Sequence, residues 1–282
     1  MPSSARDQLH HAILRIEYDG APYRGWHRQP AGVRTIEGDL LVAFEKLGCT
    51  VEKLQCAGRT DAGVHATGQV ADAIYRGGVE VERLARALGR HLPDQIAVIS
   101  TEHAPEGFDA RADATSRSYE YRVLNDSIRS PLRAGRVLHH PRPLDRALLD
   151  AAAARLLGEH DFTAFTPRQT QHVYFRRTID RSRWVQHGDE LVYEIRGNAF
   201  LLHMVRVIVG VMLSIGRGER SLESLDVLLE GAHRSDAEKT APAHALTFID
   251  VTWEPIEGLP LPLRWRAGRP EASPPVAAST DG

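Results

Sequence analysis

The stretch AGRTDAGVHATGQV, Ala57 to Val70, concentrates the side chains best able to do chemistry. Asp61 stands within it, with Arg59 two residues before and His65 four residues after. A carboxylate held in such a loop can act as a nucleophile or as a general base. Gly58, Gly63 and Gly68 permit backbone geometries that other residues resist, so the loop can be tight and can approach a ligand closely. The same Thr-Asp-Ala-Gly run also suits a capped turn, with the aspartate bonded to its own backbone. His65 could ligate a metal or act as a base, but no HxH, HExxH or CxxC partner accompanies it, which favours a packed or hydrogen-bonded imidazole. A second unusual stretch, AFLLHMVRVIVGVMLSIG from Ala199 to Gly216, is almost wholly apolar yet carries Arg206 in its middle. An unpaired buried guanidinium is costly, so Arg206 either carries its head to water along its stem or meets a carboxylate.

The elements that must position these groups follow from hydrophobic period. AILRIEYDG reads as a strand and TIEGDLLVAFEKLG as a helix capped by Thr35 and stopped by Gly48. VEKLQCAG and ATGQVADAIYRG read as strands, VEVERLARALGRHL as a helix ending before Pro93, and QIAVISTEHA as a strand. The order is βαββαβ. It returns from Ser116: strand SRSYEYRVLN, helix LDRALLDAAAARLLG, strands around Thr178–Gln186 and Glu190–Arg196, the Arg206 helix, and the strand ALTFIDVTW. This predicts an α+β fold of two ferredoxin-like halves, with antiparallel sheets, helices over one face and an active-site cleft between the halves. The expected divisions are a flexible N-terminus over 1–10, a first half over 11–110 that carries the Asp61 loop, a second half over 111–258, and a Pro/Ala-rich disordered tail over 259–282.

The chain has 282 residues, 42% of them hydrophobic, enough to bury a sizeable core. The Ala199–Gly216 run is interrupted by His203 and Arg206, so a buried core helix is expected and not a membrane span. The N-terminus shows no apolar core ahead of a small-residue cleavage site, which points to the cytoplasm. Cys49 and Cys56 fit no metal-ligand spacing and are read as reduced thiols. A net charge of −2 argues against a phosphate-gripping protein, but its distribution argues the other way. Residues 111–146 hold eight Arg against four acids, and 168–183 hold five Arg against Asp180 alone. Such clusters are either solvated faces or contacts to a nucleic-acid backbone.

GRTDAGVHA resembles the signature of the tRNA pseudouridine synthase A family, in which the Asp of GRTD is catalytic. YDGAPYRGWHRQP resembles the family's YDG…GWQRQ opening, SRSYEY its tyrosine segment, NAFLLHMVRVIVG its FLxxMVRxIVG helix, and TAPAHAL its TAPAxGL segment. The likeness runs from about Leu14 to Trp253 in the family's order. It implies a tRNA pseudouridine synthase with Asp61 as the single catalytic residue and Arg206 as its ion-pair partner. Tyr119 would stack on the flipped uracil and help to remove its C5 proton, although strand alternation puts Tyr119 and Tyr121 on one face and does not choose between them. Leu246 would line the pocket. Arg59 would hold a phosphate or the vacated place of the nucleotide, and Arg24 and Arg28 would touch the RNA backbone. The implied substrate is uridine at positions 38, 39 and 40 of the anticodon stem-loop, bound across a homodimer, with no metal and no organic cofactor.

Three positions depart from the family's pattern: His27 and Glu37 stand where Gln is usual, and Ala245 where Gly precedes the pocket leucine. If the backbone at 245 needed a positive φ, the added methyl would strain it and displace Leu246. The stretch RSDAEKTAPAHAL is also unusual before its TAPA. Two rivals stand beside this reading. One is an RNA-binding module without catalysis; the other is a metal-dependent phosphoester hydrolase using Asp61 and His65.

Overall fold

The computed structural model describes residues 8–169 and 173–254. The expected tail over 259–282 lies outside the described residues. Within them the fold is α+β: a ten-stranded, mostly antiparallel sheet with five α-helices.

The first six elements are β1 (Leu9–Tyr18), α1 (Ile36–Lys46), β2 (Thr50–Cys56), β3 (His65–Arg76), α2 (Val81–Gly89) and β4 (Ile96–His103). The Thr35 side chain accepts from the Gly38 amide at 3.2 Å, so the helix begins where an N-cap residue precedes the apolar period. Gly48 takes the left-handed conformation just past the end of α1. β1 starts at Leu9, so Leu9 and His10, grouped with the N-terminal segment in the sequence reading, belong to the strand; His10 Nε2 lies 3.1 Å from the Gly77 carbonyl.

The second set is β5 (Ala114–Leu124), β6 (Leu138–His139), α3 (Arg146–Arg155), β7 (Gly158–Asp161), β8 (Arg176–His187), β9 (Glu190–Gly197), α4 (Met204–Gly216), α5 (Leu222–Leu229) and β10 (Leu246–Trp253). Every residue of α4 except Arg206 and Gly210 is buried, as its apolar composition requires. The helix begins at Met204, five residues later than the apolar run. Asn198 Oδ1 instead accepts from the Ala199 and Thr178 amides, and the chain turns before the helix opens.

Strand order is β4-β1-β3-β10-β5-β9-β8-β7, with β2 added to β3 and β6 to β5. The first half therefore runs fourth, first, third, second, and β10-β5-β9-β8 repeats that order. The halves share one sheet, where the sequence suggested two. β2 covers β3 only from Ala71 to Arg76, which leaves the edge at His65 and Ala66 open. Thr247 and Phe248 of β10 pair there in parallel, while the other edge of β10 pairs antiparallel with β5. An open strand edge invites such pairing. At this seam the backbones approach so closely that a Cβ on Gly68 would lie 2.1 Å from the Ile249 carbonyl oxygen, which only glycine avoids.

Candidate active site

The loop from Ala57 to Val64 is held from below by its own half. Thr60 Oγ1 lies 2.8 Å from the Tyr18 hydroxyl, and the buried Gln69 amide donates to the Gly58 carbonyl at 2.7 Å and to Tyr18 Oη at 3.2 Å. The Trp26 amide donates to the Thr60 carbonyl (3.1 Å), and the Gly63 amide to the Tyr23 carbonyl (3.2 Å). Gly25, at φ +95°, lies against the loop; a Cβ there would meet the Thr60 oxygen at 2.8 Å. The Val64 amide bonds the Asp61 carbonyl at 3.2 Å, so a turn does form, but it uses the backbone of Asp61 and leaves its carboxylate for another partner.

That partner is Arg206. Its Nη1 donates to Asp61 Oδ2 at 2.9 Å across 145 residues of sequence, and its Nε donates to the Ala241 carbonyl at 2.8 Å. The Ala241 amide returns a bond to the Arg206 carbonyl at 3.0 Å. Both charged side chains are about 15% exposed, 15% for Asp61 and 16% for Arg206, so the contact is largely sheltered from water without being sealed. No hydrogen bond from the described residues reaches Asp61 Oδ1. A charge-assisted contact on one oxygen fixes the carboxylate and leaves the other lone pairs available.

Tyr119 sits in β5 opposite Phe248 of β10 and Ile195 of β9. Its ring meets Phe200 and Phe248 edge-on, each centroid 5.1 Å away. Burial pushes its hydroxyl well above the ordinary tyrosine range, so it remains a neutral phenol. Tyr121 is directed elsewhere: its hydroxyl donates to the Pro242 carbonyl at 3.0 Å. Leu246 is buried opposite Tyr121 at the start of β10. Ala245 introduces no backbone strain, because His203 is the sole non-glycine residue at positive φ among the described residues.

Arg59, Arg24 and Arg28 are exposed, and their side chains bond no described residue. His27 and Glu37, both departures from the family's pattern, are partners: His27 Nδ1 lies 2.9 Å from Glu37 Oε2, which also accepts from the Arg28 amide. The arginine-rich segments prove largely neutralised from afar. Arg133 pairs with Asp189 and Glu190, Arg136 with Asp19, Arg122 with Glu190, Arg176 with Glu159, and both Arg181 and Arg183 with Glu194.

His65 is buried and bridges the seam. Nε2 lies 3.1 and 3.0 Å from the Gly135 and His244 carbonyls, and the Gly20 amide donates to Nδ1 at 3.2 Å. Desolvation, with the Arg136 guanidinium 2.8 Å from Nδ1, holds this imidazole below its ordinary value and therefore neutral. Among the described residues, no three His, Cys, Asp or Glu side chains are grouped to hold a metal ion. No helix of the described residues is long and apolar enough to cross a membrane.

Sequence reasoning missed Arg117. This buried guanidinium donates to the carbonyls of Ala57 (3.1 and 3.2 Å), Arg111 (2.7 Å), Ala114 (2.8 Å) and Asn198 (2.7 Å), tying the base of the Asp61 loop to β5 and to the end of β9. Its one sequence signal is position, two residues before Tyr119 and so on the same strand face.

A carboxylate carried by one half of a continuous sheet is thus gripped by an arginine from the other half, beside a sheltered tyrosine. A profile of the family described as "tRNA pseudouridine synthase" matches residues 152–254, which hold Arg206 and Leu246. A tRNA pseudouridine synthase A of Pseudomonas aeruginosa is 40% identical over 252 residues, 89% of this chain and 88% of that protein. The one from Pseudoalteromonas atlantica is 38% identical over 247 residues, covering 88% and 94%. That from Shewanella amazonensis is 39% identical over 251 residues, covering 88% and 94%. The chain belongs to the tRNA pseudouridine synthase A family and is accordingly an isomerase, of the class that converts uridine into pseudouridine.

Proposed function

We propose that this protein isomerises uridine at positions 38, 39 and 40 of the tRNA anticodon stem-loop, with Asp61 as its single catalytic carboxylate. The observation that carries this reading is Asp61 anchored through Oδ2 by Arg206, with Oδ1 free of any described donor. The N-glycosidic bond breaks, the detached uracil turns, and its C5 bonds to C1′ of the same ribose; the C5 proton is lost and N1 gains one, so no atom is added overall. Asp61 either attacks C1′ to form an ester or removes a proton from C2′; each route needs one oxygen unencumbered. Exclusion of water favours recapture of the sugar by the base over hydrolysis.

Tyr119, neutral and wedged between two phenylalanines, would stack on the extruded base, and Leu246 would close the pocket beside it. Arg59 would hold the place or phosphate of the target nucleotide, with Arg24 and Arg28 on the RNA backbone; their exposed guanidinium groups, bonded to no described residue, support these roles. The repeated strand order supports two ferredoxin-like halves, 11–110 and 111–258, with the site at their junction. The family resemblance further supports a homodimer acting in the cytoplasm without metal or organic cofactor.

The test is to map pseudouridine in tRNA from a strain lacking this protein and to restore it with purified enzyme in chelator. The expected result is loss and recovery at positions 38 to 40. An unchanged map, or recovery that needs added metal, would overturn the reading.

A further inference from the structure

His203 stands immediately before α4 in a left-handed conformation, φ 62° and ψ 1°. For a residue with a Cβ this conformation is strained, and helix capping does not explain it, because the imidazole makes no capping hydrogen bond. The conformation instead brings His203 Nε2 to 3.6 Å from Asp61 Oδ2, the oxygen that Arg206 already holds. At that distance the ring stands just outside hydrogen-bond range. Its side chain is 35% exposed, against 15% for Asp61, so the ring adjoins the carboxylate while keeping part of its surface in solvent.

Three charged groups face this imidazole: Asp61 from the loop, Arg206 from α4, and Arg234 from the turn at Arg234–Asp236. Arg234 donates to Thr240 Oγ1 at 3.1 Å and to the Ala237 carbonyl, and pairs with no carboxylate among the described residues. Burial and the two guanidinium groups hold His203 below its ordinary value of 6.5, against the opposing pull of Asp61. The ring is therefore neutral at neutral pH, and among the described residues Arg206 is the one full positive charge in contact with Oδ2.

We infer that His203 is a positioning residue for the reaction: it flanks Oδ2, confines the carboxylate to one orientation and so presents Oδ1 to the ribose. This rests on the reading that Asp61 acts on uridine in tRNA. Protonation of His203 would place a second cation on Oδ2, pull the carboxylate toward the helix and lower its reactivity. Turnover should then fall as acidity protonates His203.

The test is single-turnover pseudouridine formation on a tRNA transcript between about pH 5 and 8, with binding followed by gel shift. His203→Gln keeps an amide nitrogen near the position of Nε2 but cannot titrate. His203→Asn and His203→Gly accept the left-handed backbone and remove the reach, with Gly also relieving any strain that threatens folding. His203→Gln should keep the neutral-pH rate within about threefold and lose the early acid decline. The Asn and Gly variants should bind tRNA normally and turn over about 10-fold or more slowly. Wild-type rates and an unshifted acid limb in all three variants would overturn the role of His203 alone. A wild-type protein that forms no pseudouridine would overturn the reading beneath it.

Discussion

Between their second and third strands the two halves place an aspartate, and the two aspartates have opposite fates. β8 passes to β9 through Gly188 and Asp189, and both Asp189 oxygens are taken by the Arg133 fork, at 2.6 Å each. β2 passes to β3 through residues 57–64, and Asp61 meets an arginine that has divided its fork, giving Nε to the Ala241 carbonyl and one Nη to the carboxylate. The first pair is half-exposed and saturated. The second is sheltered and leaves one oxygen with no donor among the described residues. The repeat supplies a position for an acid; the two sites differ in how many donors the opposing guanidinium brings to it.

The largest effect that would sharpen this contrast is on chemistry. Asp61→Ala should lower pseudouridine formation at least about 10³-fold while gel-shift affinity for tRNA changes little, because phosphate contacts dominate affinity. Asp189→Ala should leave the rate within about twofold, since a half-exposed surface pair contributes little. Comparable losses from both changes would erase the distinction.

Next in size is Arg206→Lys. A single ammonium cannot span Ala241 and Asp61 as the divided fork does, so single-turnover rates should fall about 10²-fold. Arg133→Lys should have no measurable effect on the same assay.

Gly25→Ala tests the support beneath the loop. Its methyl would meet the Thr60 oxygen at 2.8 Å from a backbone at φ +95°, and urea unfolding should show a loss of about 1–3 kcal/mol. The matching change Gly188→Ala has open space and bears only its positive φ of 61°, so it should cost less.

A pH effect on stability should follow from the two depressed imidazoles. His65 and His203 are held neutral in the fold, so the unfolded chain binds more protons than the folded one as pH falls below 6.5. Stability should therefore rise with pH through that window, and His65→Gln should flatten part of the slope in denaturant titrations.

Smallest, Arg24→Ala and Arg28→Ala should each weaken tRNA binding uniformly across sequences. Each should also reduce the slope of log affinity against log salt by about one.

Much of this architecture was legible because it rests on local patterns. Alternation marked the strands, Thr35 and Gly48 bracketed α1, and the element order repeated itself. The start of α4 was not legible, since Ala199–Leu202 is as apolar as the helix and the turn at Asn198 depends on a strand partner, Thr178. Nor was the single sheet, which depends on how much of β3 is left uncovered by β2. An ion pair across 145 residues leaves no mark in spacing; Arg206 announced only that it needed either water or an acid, and family resemblance supplied Asp61. Local charge counts misled for the same reason: the acids that neutralise Arg133, Arg136, Arg181 and Arg183 lie elsewhere in the chain. Arg117 was one of eight arginines in a basic segment, and His203 an interruption of an apolar run, until their neighbours were placed.

The contact between Asp61 and Arg206 is tested most directly by a double-mutant cycle on folding free energy, using Asp61→Asn, Arg206→Met and their combination. Breaking a sheltered pair from either side leaves the other group poorly paired, so each single change should be costly and the double should cost less than their sum by about 1–3 kcal/mol. Effects that add to within about 0.5 kcal/mol would show that the two groups do not depend on one another, and would contradict the account.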